Sequence, residues 1–199
     1  MLQVDTLVLG DYGTNCYIIR DASSKTCAVI DPGYEPETVL EKAESLGLTV
    51  EAILLTHGHF DHVGGVNNIA AETGCRVYLC EPDLSLPPVF TAGRLYYTDL
   101  YREGDTLSMA GLTIRVIQTP GHTPGSVCLL TEDAIFSGDT LFRGSCGRTD
   151  FPGGSPDDMG QSLSRLSRLE QDAVVYPGHG SATTLDEEIQ YNPYLRGTL

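Results

Sequence analysis

The sequence predicts an α/β fold, with strands and a few helices in one domain over residues 1–199, and three observations carry that expectation. Short apolar runs bounded by Gly, Pro, Asn or Asp recur along the chain, as strands of packed sheets do. Two longer segments instead repeat apolar residues at every third or fourth position, the period of a helix with one buried face. With 199 residues, 41% of them hydrophobic, the chain is long and apolar enough for one core.

In chain order, "LQVDTLVL" (2–9), "NCYIIR" (15–20) and "TCAVID" (26–31) read as strands separated by turn residues. "PETVLEKAESLG" (36–47) reads as a helix with Val39, Leu40, Ala43 and Leu46 on its buried stripe and Gly47 as its stop. A strand "EAILLT" (51–56), a helix "VNNIAAETG" (66–74) and a strand "RVYLC" (76–80) then make a βαβ passage. Residues 81–104 show neither period and carry three prolines and three tyrosines. They are expected to form an ordered surface excursion that could serve as a lid over a pocket, with Tyr96, Tyr97 and Tyr101 either lining that pocket, packing in the core or standing exposed on the loop. Strands follow in "LTIRVIQT", "SVCLL" and "DAIFSG". In "SPDDMGQSLSRLSRLEQ" (155–171), Met159, Leu163, Leu166 and Leu169 form one stripe, behind Ser155 as N-cap, Pro156 at the first helical position and Asp157 and Asp158 in the first turn. A last strand in "AVVYPGHG" and a short helix in "TLDEEIQY" close the chain.

Composition excludes some function classes. Twelve basic residues against 27 acidic give a formal charge of -15, which repels phosphate backbones and anionic membrane surfaces. Neither nucleic acid nor membrane is expected as a partner. The N-terminus has no basic region ahead of an apolar stretch, and no uncharged apolar run is long enough to span a bilayer. A soluble, cytoplasmic protein is expected. Six scattered cysteines without a C-x-x-C pair read as reduced core thiols, Cys146 in "GSCGRTD" standing apart by its glycine-rich setting.

The chemistry concentrates in "THGHFDH" (56–62), which holds three of the five histidines. His57 and His59, two apart at a strand end, can point to the same side and grip one ion together. Asp61 and His62 follow at the start of the next helix and turn toward a neighbouring position, so one loop can serve two adjacent metals. His122 in "TPGHTPGS" and His179 in "YPGHG" each follow Pro-Gly after a strand, and Asp139 in "FSGDTLF" also follows a strand. Five imidazoles with Asp61 and Asp139 make two sites of three or four ligands, Asp139 bridging. The positions left open for water mark a catalytic rather than a structural centre. Asp31 in "VIDPG" is placed to accept a hydrogen bond from one ligand histidine, though an Asp-Pro-Gly turn also accounts for it.

In this order "THGHFDH", "PGHTPGS", "SGDTLF" and "YPGHG" resemble the metallo-β-lactamase superfamily, from about residue 15 to residue 195. The resemblance implies a four-layer αβ/βα sandwich of two mixed β-sheets flanked by helices, with metals at one edge. It assigns His57, His59 and His122 to the first metal and Asp61, His62 and His179 to the second, with Asp139 between them. Zinc is the expected metal for such imidazole-rich sites, and iron or manganese suits the same ligands.

Within the superfamily, "GDTLFRGSCGRTDFPGG" and "YPGHGSATTLDEEIQYNPYL" look most like the glyoxalase II group. That resemblance implies a hydrolase of thioesters such as S-lactoylglutathione, acting through a metal-bound hydroxide that Asp61 helps to orient while Asp139 bridges the ions. Its partner would be a small thioester, possibly derived from glutathione. Arg148, and with it Arg143, would meet a substrate carboxylate. The chain departs from the longer enzymes at Asp150, where they carry a tyrosine, and it ends where they continue into a helical domain, so it is similar to the short single-domain bacterial form. A mononuclear-iron persulfide dioxygenase, whose "CGRTDF" is shared at 146–151, and a lactone hydrolase are alternatives on the same ligands. The β-lactamases proper generally lack the bridging aspartate, and a binding domain without catalysis is disfavoured by the complete ligand set.

Overall fold

Three antiparallel strands open the chain in the computed structural model, which describes residues 1–196: β1 (Leu2–Leu9), β2 (Thr14–Asp21) and β3 (Thr26–Ile30). Helix α1 (Pro36–Ser45) crosses to β4 (Thr49–Leu54), which lies parallel to β3. Proline at its start and Glu37 in the first turn suit the helix N-terminus, Val39 and Ala43 are buried, and Gly47 at φ +67° takes the left-handed exit. The single turn α2 (Phe60–Val63) and helix α3 (Val66–Thr73) lead to β5 (Arg76–Cys80), parallel to β4. A short strand β6 (Asp99–Tyr101) adds to β5 and completes a six-stranded sheet in sequence order.

The second sheet begins with β7 (Thr106–Met109), β8 (Leu112–Gln118), β9 (Val127–Thr131) and β10 (Ala134–Gly138), each antiparallel to the one before. After the small hairpin of β11 (Leu141–Phe142) and β12 (Ser145–Cys146), helix α4 (Pro156–Leu166) crosses over to β13 (Val174–Pro177), parallel to β10. Strand β14 (Thr183–Thr184) takes the edge, and α5 (Leu185–Tyr191) follows. Ser155 caps α4 as its sequence predicts, its hydroxyl accepting the Asp158 N–H at 3.2 Å.

Alternation along the strands sorts the core into three slabs and so builds four layers. Ile18, Val29 and Ile53 face outward onto Val39 of α1 and Ile69 of α3. Their neighbours Ile19, Ile30 and Leu54 face inward, against Val116, Leu129 and Phe136 of the second sheet. On the far side Ile117, Ile135 and Val175 meet Met159, Leu163 and Leu166 of α4 and Leu185 of α5. Each such side chain contributes about 1.5–3 kcal/mol by leaving water. The result is the helix–sheet–sheet–helix sandwich.

The structure revises the reading of residues 81–104. Their start folds as a 3₁₀ turn (Glu81–Ser85) and their end is strand β6. Tyr101 is buried between the sheets with its hydroxyl donating to the Leu55 carbonyl, so it belongs to the core rather than to a pocket. Tyr96 and Tyr97 are exposed. Helix α4 stops at Leu166, and Leu169 packs beside it from beyond the helix end. Five cysteines are buried and Cys146 is half-buried, none of the six in a disulfide. No described helix is long and apolar enough to cross a membrane.

Candidate metal centre

Loops from both sheets meet at one edge because backbone hydrogen bonds join them. The Val127 N–H donates to the Thr56 carbonyl at 2.9 Å, and the Asn15 N–H to the Gly178 carbonyl at 2.7 Å. This edge gathers His57, His59, Asp61 and His62 after β4, His122 between β8 and β9, Asp139 after β10, and His179 after β13. Three compact groups result among the described residues, His57–His59–His122, Asp61–His62–His179 and, overlapping both, Asp31–His57–His62, with the ligand-capable atoms of each within 4.8 Å of one another. Asp139 lies between the first two, Oδ2 at 3.4 Å from His122 Nε2 and Oδ1 at 3.5 Å from His62 Nε2. All seven sequence-predicted histidine and aspartate positions therefore come together.

The outer nitrogens of three rings are fixed by partners that turn the inner nitrogen toward the centre. His122 Nδ1 donates to the Arg148 carbonyl at 2.8 Å, His179 Nδ1 to the Tyr12 carbonyl at 3.2 Å, and His62 Nδ1 to Asp31 Oδ2 at 2.9 Å. A proton held at Nδ1 leaves Nε2 as the ligand atom. His59 Nδ1 faces His122 Nε2 at 2.8 Å, two nitrogens aimed at one point. His57 Nε2, His59 Nε2, His62 Nε2 and Asp139 Oδ1 are buried without any hydrogen-bond partner. Buried polar atoms are normally satisfied, and unpartnered ones gathered at one sheet edge fit a cation.

The electrostatics divide the centre. Burial first, then the neighbouring imidazoles, hold His57 well below the usual histidine range, and the same causes bring His59 down to about 4. Burial also lowers His122. Those three are neutral at pH 7, the form that ligates. At the second group burial opposes charge, yet Asp31 and Asp139 raise His62, and the hydrogen bond to Asp61 raises His179. Asp61 and Asp139 are correspondingly held below the usual carboxylate range by those histidines, against their burial.

Asp31 has both oxygens taken up by hydrogen bonds, which suits it to bracing the site. Its Oδ1 accepts the Thr56 N–H at 2.8 Å, and its Oδ2 accepts the Thr56 hydroxyl at 2.5 Å as well as His62. It does this at φ +50°, a strained conformation for a residue with a side chain, so it is more than an Asp-Pro-Gly turn. Thr56 also lies 3.1 Å from His57 Nδ1, and the Thr14 hydroxyl donates to Asp61 Oδ2 at 3.2 Å. Neither threonine stands out in the sequence, because a lone hydroxyl carries no spacing.

The two arginines stand differently. Arg148 binds Asp150 through two 2.7 Å hydrogen bonds and lies 3.8 Å over the Phe151 ring. Its carbonyl, not its guanidinium, reaches the centre. Arg143 pairs with Glu187 at 3.5 Å on the surface. Three of the five phenylalanines, all half-buried, stand against the histidines instead, and a fourth packs nearby on a tyrosine. Phe90 and Phe151 stand 6.3 and 6.0 Å from His59, Phe142 stands 6.2 Å from His179, and Phe60 packs on Tyr12 at 5.1 Å. Cys146, half-buried behind this loop, has its thiol pushed up to about 11 by burial, so it is no ready nucleophile.

A two-sheet sandwich with a histidine–aspartate centre at one sheet edge defines a class of metal-dependent hydrolases. The chain belongs to the metallo-beta-lactamase superfamily, whose model matches residues 9–179. It is 34% identical to the hydroxyacylglutathione hydrolase GloC of Haemophilus influenzae, over 98% of both chains. Among solved structures it is similar to the BLEG-1 B3 metallo-beta-lactamase, with a TM-score of 0.89, 32% identity and coverage of 98% of this chain and 99% of that one. It is also similar to TTHA1623 in a di-iron-bound form, with a TM-score of 0.85, 36% identity and coverage of 96% and 100%.

Proposed function

We propose that this chain hydrolyses thioesters of the S-lactoylglutathione type at a centre of two divalent ions. The observation that carries the proposal is the pair of ligand groups sharing Asp139, with ring nitrogens turned inward and buried polar atoms left unpartnered. His57, His59 and His122 would hold one ion, Asp61, His62 and His179 the other, and Asp139 would serve both. The name of the Haemophilus relative supports the substrate type. Zinc is the proposed metal, and the di-iron form of TTHA1623 supports iron as the other candidate.

When bound, such ions supply Lewis acidity toward an acyl carbonyl and lower the pKa of water from about 15.7 toward ~7. The chain's own residues do the rest. Asp31, Thr56 and the Arg148 and Tyr12 carbonyls orient the ligand rings, and Thr14 fixes one Asp61 oxygen. Asp61 is thereby placed to accept a hydrogen bond from the attacking water. The departing thiol, with an ordinary pKa of about 8.5, leaves as thiolate without a dedicated acid. Phe90, Phe142 and Phe151 offer ring faces to the carbon and sulfur of the substrate arms. With Arg148 and Arg143 each paired to an acid, a carboxylate on the substrate would have to compete with Asp150 or Glu187.

Metal-replete protein is expected to release free thiol from S-lactoylglutathione, and chelator-stripped protein to release none. Metal-dependent oxygen uptake with a persulfide, or opening of a lactone, in place of thiol release would overturn the thioester reading.

Zinc loading should also release protons unequally. The raised His62 and His179 hold more of their protons in the metal-free protein near pH 6.5 than the lowered His57, His59 and His122. Calorimetry in buffers of different ionisation enthalpy should show proton release from the second group, fading as pH rises through the raised histidine pKa values. Equal release from both ions would contradict this split.

A further inference from the structure

Asp83 lies in the 3₁₀ turn after β5, fully buried, in the stretch that shows no sequence period. Its carboxylate accepts three hydrogen bonds from two different loops. Oδ2 takes the Gly58 N–H at 2.7 Å and the Thr123 hydroxyl at 3.0 Å, and Oδ1 takes the Gly125 N–H at 2.6 Å. Gly58 sits between His57 and His59, and Thr123 directly follows His122. Among the described residues no Lys, Arg or His forms an ion pair with it.

Burying a carboxylate without a countercharge is expensive, and it is tolerated where hydrogen bonds to the charged form replace water. A turn alone has no need of such a group. At Gly125 the approach is also too close for a side chain: a Cβ there would stand 2.6 Å from Asp83 Oδ1 and 2.8 Å from the Asp83 backbone nitrogen. Thr123 passes the link on to Ser126 at 2.8 Å, at the start of β9. The carboxylate thus spans two loops whose histidines, His59 and His122, face each other at 2.8 Å.

We infer that Asp83 is the positioning residue of the three-histidine group, tying the His57–His59 loop to the His122 loop and setting the separation of their imidazoles without touching any of them. The inference rests on the proposed reading of those three histidines as one metal site.

The test measures zinc affinity by competition with a chromophoric chelator, and the d–d spectrum of the cobalt-substituted protein, in a His179→Ala background that disables the second group. Asp83→Asn and Asp83→Ala are expected to weaken zinc binding by about 10–100-fold, the range for residues that orient ligands, and to alter the cobalt spectrum. Thr123→Val, which removes one of the three donors and leaves Asp83 in place, should weaken binding several-fold and stands in if Asp83→Ala does not fold. Folded Asp83 variants with a lowered unfolding temperature but unchanged zinc affinity and cobalt spectrum would show a merely structural role and overturn the inference. If the His179→Ala protein with Asp83 intact binds no zinc, the three-histidine site itself falls, and this inference with it.

Discussion

On the proposed two-ion thioesterase reading, Asp139→Ala should reduce bound zinc from two ions per chain to one or fewer and lower thioester turnover by more than the roughly 100-fold typical of losing a ligand's outer partner. The reason is geometric. Asp139 faces both groups, Oδ2 toward His122 at 3.4 Å and His179 at 3.7 Å, and Oδ1 toward His62 at 3.5 Å. Removing it leaves each group with its own three residues but takes away the shared negative charge between them. Asp139→Asn keeps the volume and one carbonyl oxygen, so it should hold one ion and recover little activity. Metal analysis after gel filtration, alongside a thiol-release assay, checks both variants. Two tightly held ions in Asp139→Ala would show that the bridging role is misassigned.

The centre was legible because its signal is chemical and local. Five histidines beside Gly, Pro or Asp at strand ends leave few other readings, and their order matches a known family pattern. The layers were legible because a period of two in the strands, and of three to four in α1 and α4, puts apolar residues on the faces that must be covered. Strand β6 was not legible. Its three residues "DLY" are too short to show a period, and Tyr101 looks like one more loop tyrosine until β5 pairs with it. Strand β7, "TLSM", likewise has only its last residue fully buried. Arg148 shows a different limit. Sequence suggests a guanidinium for a substrate carboxylate, whereas in three dimensions the carbonyl fixes His122 and Asp150, two residues on, captures the guanidinium.

Gly178→Ala should disable the second group without altering any residue proposed as a ligand. A Cβ there would stand 2.2 Å from Asp139 Oδ1 and 2.8 Å from His62 Cε1. The backbone cannot retreat, because the Gly178 N–H donates to the Gly138 carbonyl at 2.8 Å while its carbonyl accepts the Asn15 N–H at 2.7 Å, one bond to each sheet. Asp139 and His62 must give way instead, by about 1 Å before ordinary van der Waals contact is restored. Overpacking of this kind costs about 1–3 kcal/mol, which for a chain of this size lowers the unfolding midpoint by roughly 2–12 °C. Zinc content should fall toward one ion per chain, and turnover by more than about 100-fold, since the displaced groups are those proposed to hold the second ion. The double variant Asp139→Ala/Gly178→Ala separates this account from general damage. With the carboxylate truncated the new methyl has room on its most crowded side, so the alanine at 178 should cost at least 1 kcal/mol less than in the wild-type background, a non-additivity expected only of groups in contact. Strict additivity of the two substitutions in chemical denaturation would mean that the alanine acts on the backbone alone and that the close approach of Gly178 to Asp139 is not what requires glycine there.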